Sequence, residues 1–91
     1  MSIPVHIPTP LRAATDGRAE VLVEATDVAG LLETLWRDHA ALRDRLCDEG
    51  GNLRSFVRVF VNDEDIRFLE DIRTPLVGGD TVAIVPAIAG G

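Results

Sequence analysis

The chain has 91 residues, of which 46% are hydrophobic, and a formal net charge of −6 at pH 7. This length allows one small domain with a real core, and the negative charge argues against nucleic acid or an anionic membrane as a partner. One cysteine excludes an internal disulfide, and no apolar run approaches the ~18 residues of a membrane span. Because no signal-peptide pattern is present at the N-terminus either, we expect a cytoplasmic protein.

Two strand-like segments at the start of the chain predict a β-hairpin. The first covers residues 3–7, and Pro4 and Pro8 are expected at its ends because proline cannot donate to a sheet ladder. A turn at residues 15–17 precedes the second strand, residues 18–25, whose two valines are expected on one face, with Glu20, Leu22 and Glu24 on the other.

A single amphipathic helix is predicted next. Thr26 and Asp27 suit its N-terminus, and Gly50-Gly51 suits its end. The apolar residues between them recur at spacings of three, four and seven, which places them on one stripe. These residues are Val28, Leu31, Leu32, Leu35, Leu42 and Leu46.

Residues 56–61 form the clearest strand of the sequence. Its three valines alternate with other side chains and are expected to face the helix, which leaves Arg58 and Phe60 on the opposite face. An exposed aromatic side chain beside a charge predicts a partner-binding surface, and a second small core is the alternative.

The remaining elements complete a recognisable order. A polar turn at residues 62–65 precedes a possible short return strand at residues 66–68, and a tight turn at residues 78–80 precedes the last strand, residues 81–85. The order β-β-α-β-(β)-β is that of the ubiquitin-like β-grasp, an α+β fold. We therefore expect a mixed sheet of four to five strands with one main helix across one face.

The C-terminal segment is expected to form a tail, residues 87–91, that follows a domain of residues 1–86. Extended from Pro86, six residues reach roughly 20 Å, and every residue after Ile88 is small. Gly90 and Gly91 have no Cβ, so they fit a narrow protein channel. We predict the Gly91 carboxylate to be the reactive group, although a Gly-rich terminus can also be idle. The tail residues expected to bind a partner are Pro86, Ala87, Ile88, Ala89 and Gly90.

The sequence resembles the MoaD/ThiS type of ubiquitin-like sulfur-carrier proteins over nearly its whole length. Three segments carry this resemblance, namely residues 56–68, 79–82 and 85–91. Within that family it is most similar to the CysO-like cysteine-biosynthesis branch, which shares the Val-Asn-Asp-Glu-Asp turn at residues 61–65 and an Ala-Gly-Gly end.

This resemblance implies a carrier that is not itself an enzyme. An E1-like adenylating enzyme of the MoeB/ThiF type would use ATP and magnesium to activate Gly91, and sulfur would then replace AMP to leave a thiocarboxylate. The branch implies a pyridoxal-phosphate-dependent synthase of the cysteine-synthase type as acceptor, followed by a zinc peptidase. Molybdopterin, thiazole or thiosugar synthesis would use the same reagent. A ubiquitin-like protein modifier or a plain interaction domain would also be compatible with this sequence.

Other chemistry has less support in the sequence. Acidic neighbours are expected to raise the pKa of the Cys47 thiol, which predicts an inert side chain. His6 and His39 lack metal-ligand spacing with each other or with Cys47, and no phosphate-binding glycine loop occurs. The chain itself is therefore expected to bind no cofactor and no metal.

Overall fold

The structure is a computed structural model that describes residues 2–86, so the predicted tail, residues 87–91, lies outside the described part. Five strands form one sheet in the order β2-β1-β5-β3-β4. The strands and α-helices are β1 (Ser2–His6), β2 (Glu20–Glu24), α1 (Val28–Asp38), α2 (Ala40–Leu46), β3 (Val57–Val61), β4 (Glu64–Asp65) and β5 (Val82–Pro86). β1 pairs parallel with β5, and the other neighbouring strands are antiparallel. The predicted mixed sheet is thus confirmed.

The N-terminal hairpin forms as predicted, but Pro4 lies inside β1 rather than at its end. Pro4 is opposite Leu22 in the pairing of β1 with β2. The Ile7 N–H donates to the Ala19 carbonyl at 2.8 Å, and hydrogen-bonded pairs alternate with non-bonded pairs along an antiparallel ladder. Pro4 therefore occupies a non-bonded pair, where its missing N–H removes no bond to β2.

The core lies between one face of the sheet and the two α-helices. Alternate residues of each long strand are buried there, and Val21 and Val23 of β2 take the face predicted for them. Leu22, between them, is 66% exposed on the other face. The strand residues buried most completely are Ile3, Val5, Val59, Val82 and Ile84.

The predicted single helix is wrong, because the chain breaks at His39. His39 has φ −133° and ψ 72°; its N–H donates to the Leu35 carbonyl and closes α1, and its own carbonyl accepts from Leu42 to open α2. Leu35 and Leu42 are seven residues apart, a spacing that one continuous helix also satisfies. The break directs α2 against a short 3-10 helix at Thr9–Thr15. Within residues 2–86, no helix combines the length and apolar character that a bilayer crossing requires.

The end predicted for that helix at Gly50-Gly51 is also wrong. α2 ends at Leu46, and Cys47 is already extended, with a β-bridge to Leu53. Gly51, with φ +84°, belongs instead to a turn between these two bridged residues. The Asp48 carboxylate accepts from the backbone N–H groups of Gly50 and Asn52 in this turn.

The short return strand begins earlier than predicted. Asn62 and Asp63 both have positive φ, which matches the two-residue hairpin turn that suits the twist of paired strands. β4 is therefore Glu64–Asp65, and the predicted strand at Ile66–Phe68 is a 3-10 helix. Asp65 causes this switch, because its side chain accepts from the Arg67 N–H and caps the first turn of that helix.

Asn62 and Asp80 connect this hairpin turn to the turn before β5. The Asp80 carboxylate accepts from the Val77 N–H at 2.9 Å and from the Asn62 amide at 2.8 Å. These two bonds, the backbone one first, hold the pKa of Asp80 below its ordinary value. Their stabilisation is therefore complete above the unfolded-state pKa of about 3.9 and is lost as the pH falls through the lower folded-state value.

We expect Val59→Ala to lower the free energy of unfolding by about 1–3 kcal/mol, because it removes two buried methyl groups and leaves a cavity. Val59 is 2% exposed, whereas Val85 on the neighbouring strand is 41% exposed, so Val85→Ala is the matched control and should cost clearly less. Urea unfolding followed by the fluorescence of Trp36, the single tryptophan, measures both. Equal losses in the two variants would contradict the assignment of the faces.

Candidate functional site

The tail begins at the end of the central strand of the sheet. β5 lies between β1 and β3, and its last residue, Pro86, pairs with Val57 of β3. The Asn62 N–H donates to the Thr81 carbonyl, so by the same alternation Pro86 occupies a pair with no hydrogen bonds to β3. Its missing N–H therefore breaks no bond to that strand, and the sheet holds the start of the tail in a fixed position.

Most of the predicted tail site lies outside the described residues. These are the expected reactive residue Gly91 and the expected partner-binding residues Ala87, Ile88, Ala89 and Gly90. Of the tail residues named from the sequence, the structure places only Pro86, which is half-buried.

Arg58 and Phe60 lie on the outer face of β3, opposite the face that carries its buried valines. Both side chains are half-buried rather than fully exposed. Phe60 is paired with Ala83 of β5, which is itself paired with His6 of β1, and Arg58 is paired with Val85 in the row nearer Pro86. The structure thus brings the predicted docking residues onto the sheet face that leads to the start of the tail.

Asp65 organises the charges of this face, and it was not among the site residues predicted from the sequence. Its carboxylate accepts three bonds from the Arg67 guanidinium, at 3.0 and 3.2 Å to Oδ2 and at 3.3 Å to Oδ1. The same Oδ2 is 3.8 Å from Nη1 of Arg58. The Asp65 side chain is 9% exposed. The signal that could have found it is local, since an Asp two residues before Arg67, at the start of a helical turn, is typical of an N-cap.

Cys47 is buried between α2 and the loop that follows, and its surroundings disfavour the thiolate form. Burial is the largest cause that raises the pKa of Cys47, with a smaller rise from Asp48, while Arg43 and then Arg54 lower it. The direction agrees with the sequence-based expectation, but the main cause is burial and not the acidic neighbours. A buried thiol with a raised pKa holds little thiolate, which is the reactive form.

The two histidines occupy separate parts of the fold. His6 is in β1, where its Nδ1 is 3.8 Å from Oε2 of Glu20. His39 is at the junction of α1 and α2. Across the described part of the chain, no three His, Cys, Asp or Glu side chains come close enough together to hold a metal ion.

Comparison with known proteins gives one consistent result. Residues 5–91 match the ThiS family. The chain is 38% identical to the sulfur carrier protein CysO of Mycobacterium tuberculosis (strain ATCC 25618 / H37Rv) over an alignment that covers 100% of both chains.

Solved structures agree with this family match. The Amycolatopsis orientalis BexX/CysO complex contains a chain with TM-score 0.85 and 38% identity, covering 98% of this chain and 99% of its own. Small archaeal modifier protein 1 of Methanosarcina acetivorans has TM-score 0.87 and 26% identity, covering 99% and 96%. The ubiquitin-like architecture predicted from the order of elements is therefore correct, and the chain belongs to the ThiS family.

Proposed function

We propose that this protein is a sulfur carrier whose Gly91 carboxylate is activated by a partner enzyme and converted to a thiocarboxylate. The observation that carries the proposal is the end-to-end match: identity to CysO extends over both whole chains, and the family match reaches residue 91. The chain acts as a protein co-substrate, and the enzymes that act on it supply the catalytic groups.

The chemistry needs two steps because a carboxylate is a poor electrophile. In the first, a carboxylate oxygen of Gly91 attacks the α-phosphate of ATP, pyrophosphate leaves, and an acyl-adenylate forms. In the second, sulfide attacks the acyl carbon and AMP leaves. Where the outer sulfur of a persulfide attacks instead, an acyl disulfide forms. A thiol then attacks the inner sulfur of that disulfide, which releases the Gly91 thiocarboxylate and leaves the thiol joined to the inner sulfur as a new disulfide. ATP and magnesium are bound by the partner, and the carrier contributes only its tail and a docking surface.

The described residues support this division of labour. Pro86 starts the tail from a strand held on both sides, and Phe60 with Arg58 provides a partly apolar, partly cationic surface on the adjoining sheet face. Aromatic and arginine side chains are the types that most often anchor protein–protein interfaces. We therefore propose that the activating enzyme docks on this face while it receives the tail.

The proposed partners are an E1-like adenylating enzyme of the MoeB/ThiF type and a sulfur-accepting synthase. The solved BexX/CysO complex contains a chain that is 38% identical to this one. That complex supports a protein partner of this general kind. We propose cysteine formation on an activated serine held by a pyridoxal-phosphate enzyme, with a zinc peptidase releasing the product, and a cytoplasmic location. Carriers for molybdopterin, thiazole or thiosugar synthesis would use the same thiocarboxylate.

A ubiquitin-like modifier is the second candidate function. Its support is the likeness to small archaeal modifier protein 1 at 26% identity with a TM-score of 0.87. A modifier would use the same adenylate but transfer Gly91 to a lysine amine. Isopeptide-linked conjugates in lysate that contains ATP and the activating enzyme would favour this function, whereas a thiocarboxylate in the intact mass favours the carrier.

Deletion of Gly91 should abolish activation and leave the melting temperature nearly unchanged. The deletion moves the terminal carboxylate back by roughly 3.3–3.6 Å, and misplacement of a reacting group by about 1 Å can already cost 100-fold. ATP–pyrophosphate exchange with the activating enzyme measures the effect. Ala89→Gly keeps the length of the tail and adds no bulk to it, so this variant should retain exchange. A truncated chain with normal exchange would refute the carrier proposal.

Phe60→Ala should raise the KM for the carrier at least tenfold in the same exchange assay, with a much smaller change in kcat, because it removes an anchor of the docked complex. Phe68→Ala is the matched control, since Phe68 is 78% exposed in the 3-10 helix after β4 and should change KM less than twofold. If Phe68→Ala is the damaging substitution, the docking surface lies at the 66–77 segment instead.

Cys47→Ala should retain thiocarboxylate formation, because the Cys47 thiol is buried and its pKa is raised. Alanine keeps a small apolar group at this site and so preserves the packing. One oxygen-for-sulfur exchange in the intact mass, located at the C-terminal peptide, measures the reaction. Loss of that exchange in a folded Cys47→Ala protein would move the sulfur from Gly91 to Cys47.

A further inference from the structure

A pocket of about 230 Å³ lies on the helix side of the protein, between α1 and two later segments. One wall is a single face of α1, because residues at spacings of three and four are neighbours on a helix. The residues of this wall are Ala29, Leu32, Glu33 and Trp36. The other walls are the loop at residues 51–53 and Ile72, which belongs to the 3-10 helix Asp71–Arg73.

The lining of this pocket is largely apolar. Leu32 is 6% exposed and belongs to the core, whereas Ile72 is 47% exposed although its side chain is large and apolar. Trp36 and Leu53 are half-buried and pack against the core from the pocket. Apolar and aromatic side chains around one cavity are typical anchor points of protein–protein interfaces. The pocket therefore offers apolar surface to a side chain from another molecule.

Glu33 is the one charged residue among the described residues that line the pocket. Arg37 follows four residues later and is its neighbour on the helix surface, but the Arg37 guanidinium lies 3.4 Å from the Asp38 carboxylate. Within residues 2–86, the Glu33 carboxylate has no ion pair. A carboxylate accepts hydrogen bonds only, so an unpaired one beside an apolar cavity favours a cationic ligand.

We propose that this pocket receives an arginine side chain of a partner protein. The methylene stem of an arginine packs on apolar surface while its charged head remains with polar groups. Its planar guanidinium can form two hydrogen bonds with one carboxylate and can stack on an aromatic ring. Glu33 and Trp36, three residues apart on α1, supply these two contacts beside the apolar lining. Lysine lacks the planar fork, so the pocket prefers arginine.

This pocket and the proposed docking surface at Phe60 are on opposite sides of the sheet. The core that contains the valines of β3 also contains Leu32 and Leu35 of α1, whereas Phe60 lies on the outer face. A protein docked at Phe60 therefore leaves the pocket open to a second protein. The net charge of −6 favours a basic partner over a second copy of this chain. The site depends on the pocket alone and not on the sulfur chemistry proposed above.

Titration of the full chain with an acetylated leucine-arginine-leucine tripeptide amide tests the pocket. Trp36 is the single tryptophan, so its indole N–H signal in a nitrogen-15 NMR spectrum reports on this site directly. We expect saturable shifts of that signal and of the Leu53 and Ile72 amides at millimolar peptide, with the Phe60 amide unchanged. The same peptide with neutral citrulline in place of arginine should bind about tenfold more weakly, because it cannot form an ion pair with Glu33. Equal binding of the two peptides, or no saturable shift at Trp36, would overturn the proposal.

A substitution and a matched control separate the pocket from the general charge of the chain. Glu33→Gln should weaken binding of the arginine peptide about tenfold and make the two peptides bind alike. Glu20→Gln removes an equal charge from the outer face of β2, where salt screens it from the helix side, and should change the affinity less than about twofold. Both side chains are exposed, so neither substitution disturbs the core. Equal weakening by the two substitutions would also overturn the proposal.

Two other occupants are distinguished in the same samples. If acetyl-arginine amide without the leucines binds as tightly as the tripeptide, the pocket holds a small cation and the docking proposal is refuted. If the Trp36 signal shifts with protein concentration in the absence of peptide, and Glu33→Gln removes that shift, the occupant is an arginine of a second copy and the proposal is refuted as well. We expect neither result, and a monomer in sedimentation velocity at the same concentrations.

Discussion

The position of β5 between β1 and β3 is the constraint on which the rest of the structure depends. The strand pairs parallel with β1 through Val82 and Ala83, and antiparallel with β3 along its whole length. Its inward residues Val82 and Ile84 are at most 1% exposed, so the strand that carries the tail also fills the core. A displacement of β5 would cost core packing and two sets of backbone hydrogen bonds, which fixes the start of the tail.

The sequence predicts a strand well where the alternation of buried and exposed side chains is long enough to exclude a helical period. In β3 the three valines at every second position allow one face assignment, and the structure confirms it. The helix break was not predictable in this way, because Leu35 and Leu42 satisfy one helix as well as two. The position of Pro4 was predicted wrongly because the general rule for proline does not distinguish the hydrogen-bonded pairs of a ladder from the non-bonded ones. That information depends on the pairing with β2, a contact between distant segments.

The same limit applies to the candidate site. Small terminal residues after a strand and a proline can be identified from the sequence, but the tail and Gly91 lie outside the described residues and stay predictions. An apolar groove that Pro86 lines together with Leu11 and Phe56 was not predictable, because it joins residues from four separate segments between positions 10 and 86. The arrangement at Asp65 was partly visible in the sequence: the short distance to Arg67 is local, but the approach of Arg58 requires the hairpin of β3 and β4.

The charges around Asp65 are better explained as orienting groups than as a source of stability. Ion pairs whose arginines are half-exposed contribute little to folding, and the side chains here are 35% exposed at Arg58 and 52% at Arg67. Asp65 is 9% exposed and cannot move far, so it restricts where the Arg58 guanidinium can lie. A restricted side chain loses less conformational entropy when a partner binds it. In a chain of net charge −6, two arginines around one carboxylate also leave a local positive excess beside Phe60. A partner surface that is apolar at its centre and acidic at its rim would fit this face, and its charge would disfavour docking on the acidic remainder of the chain.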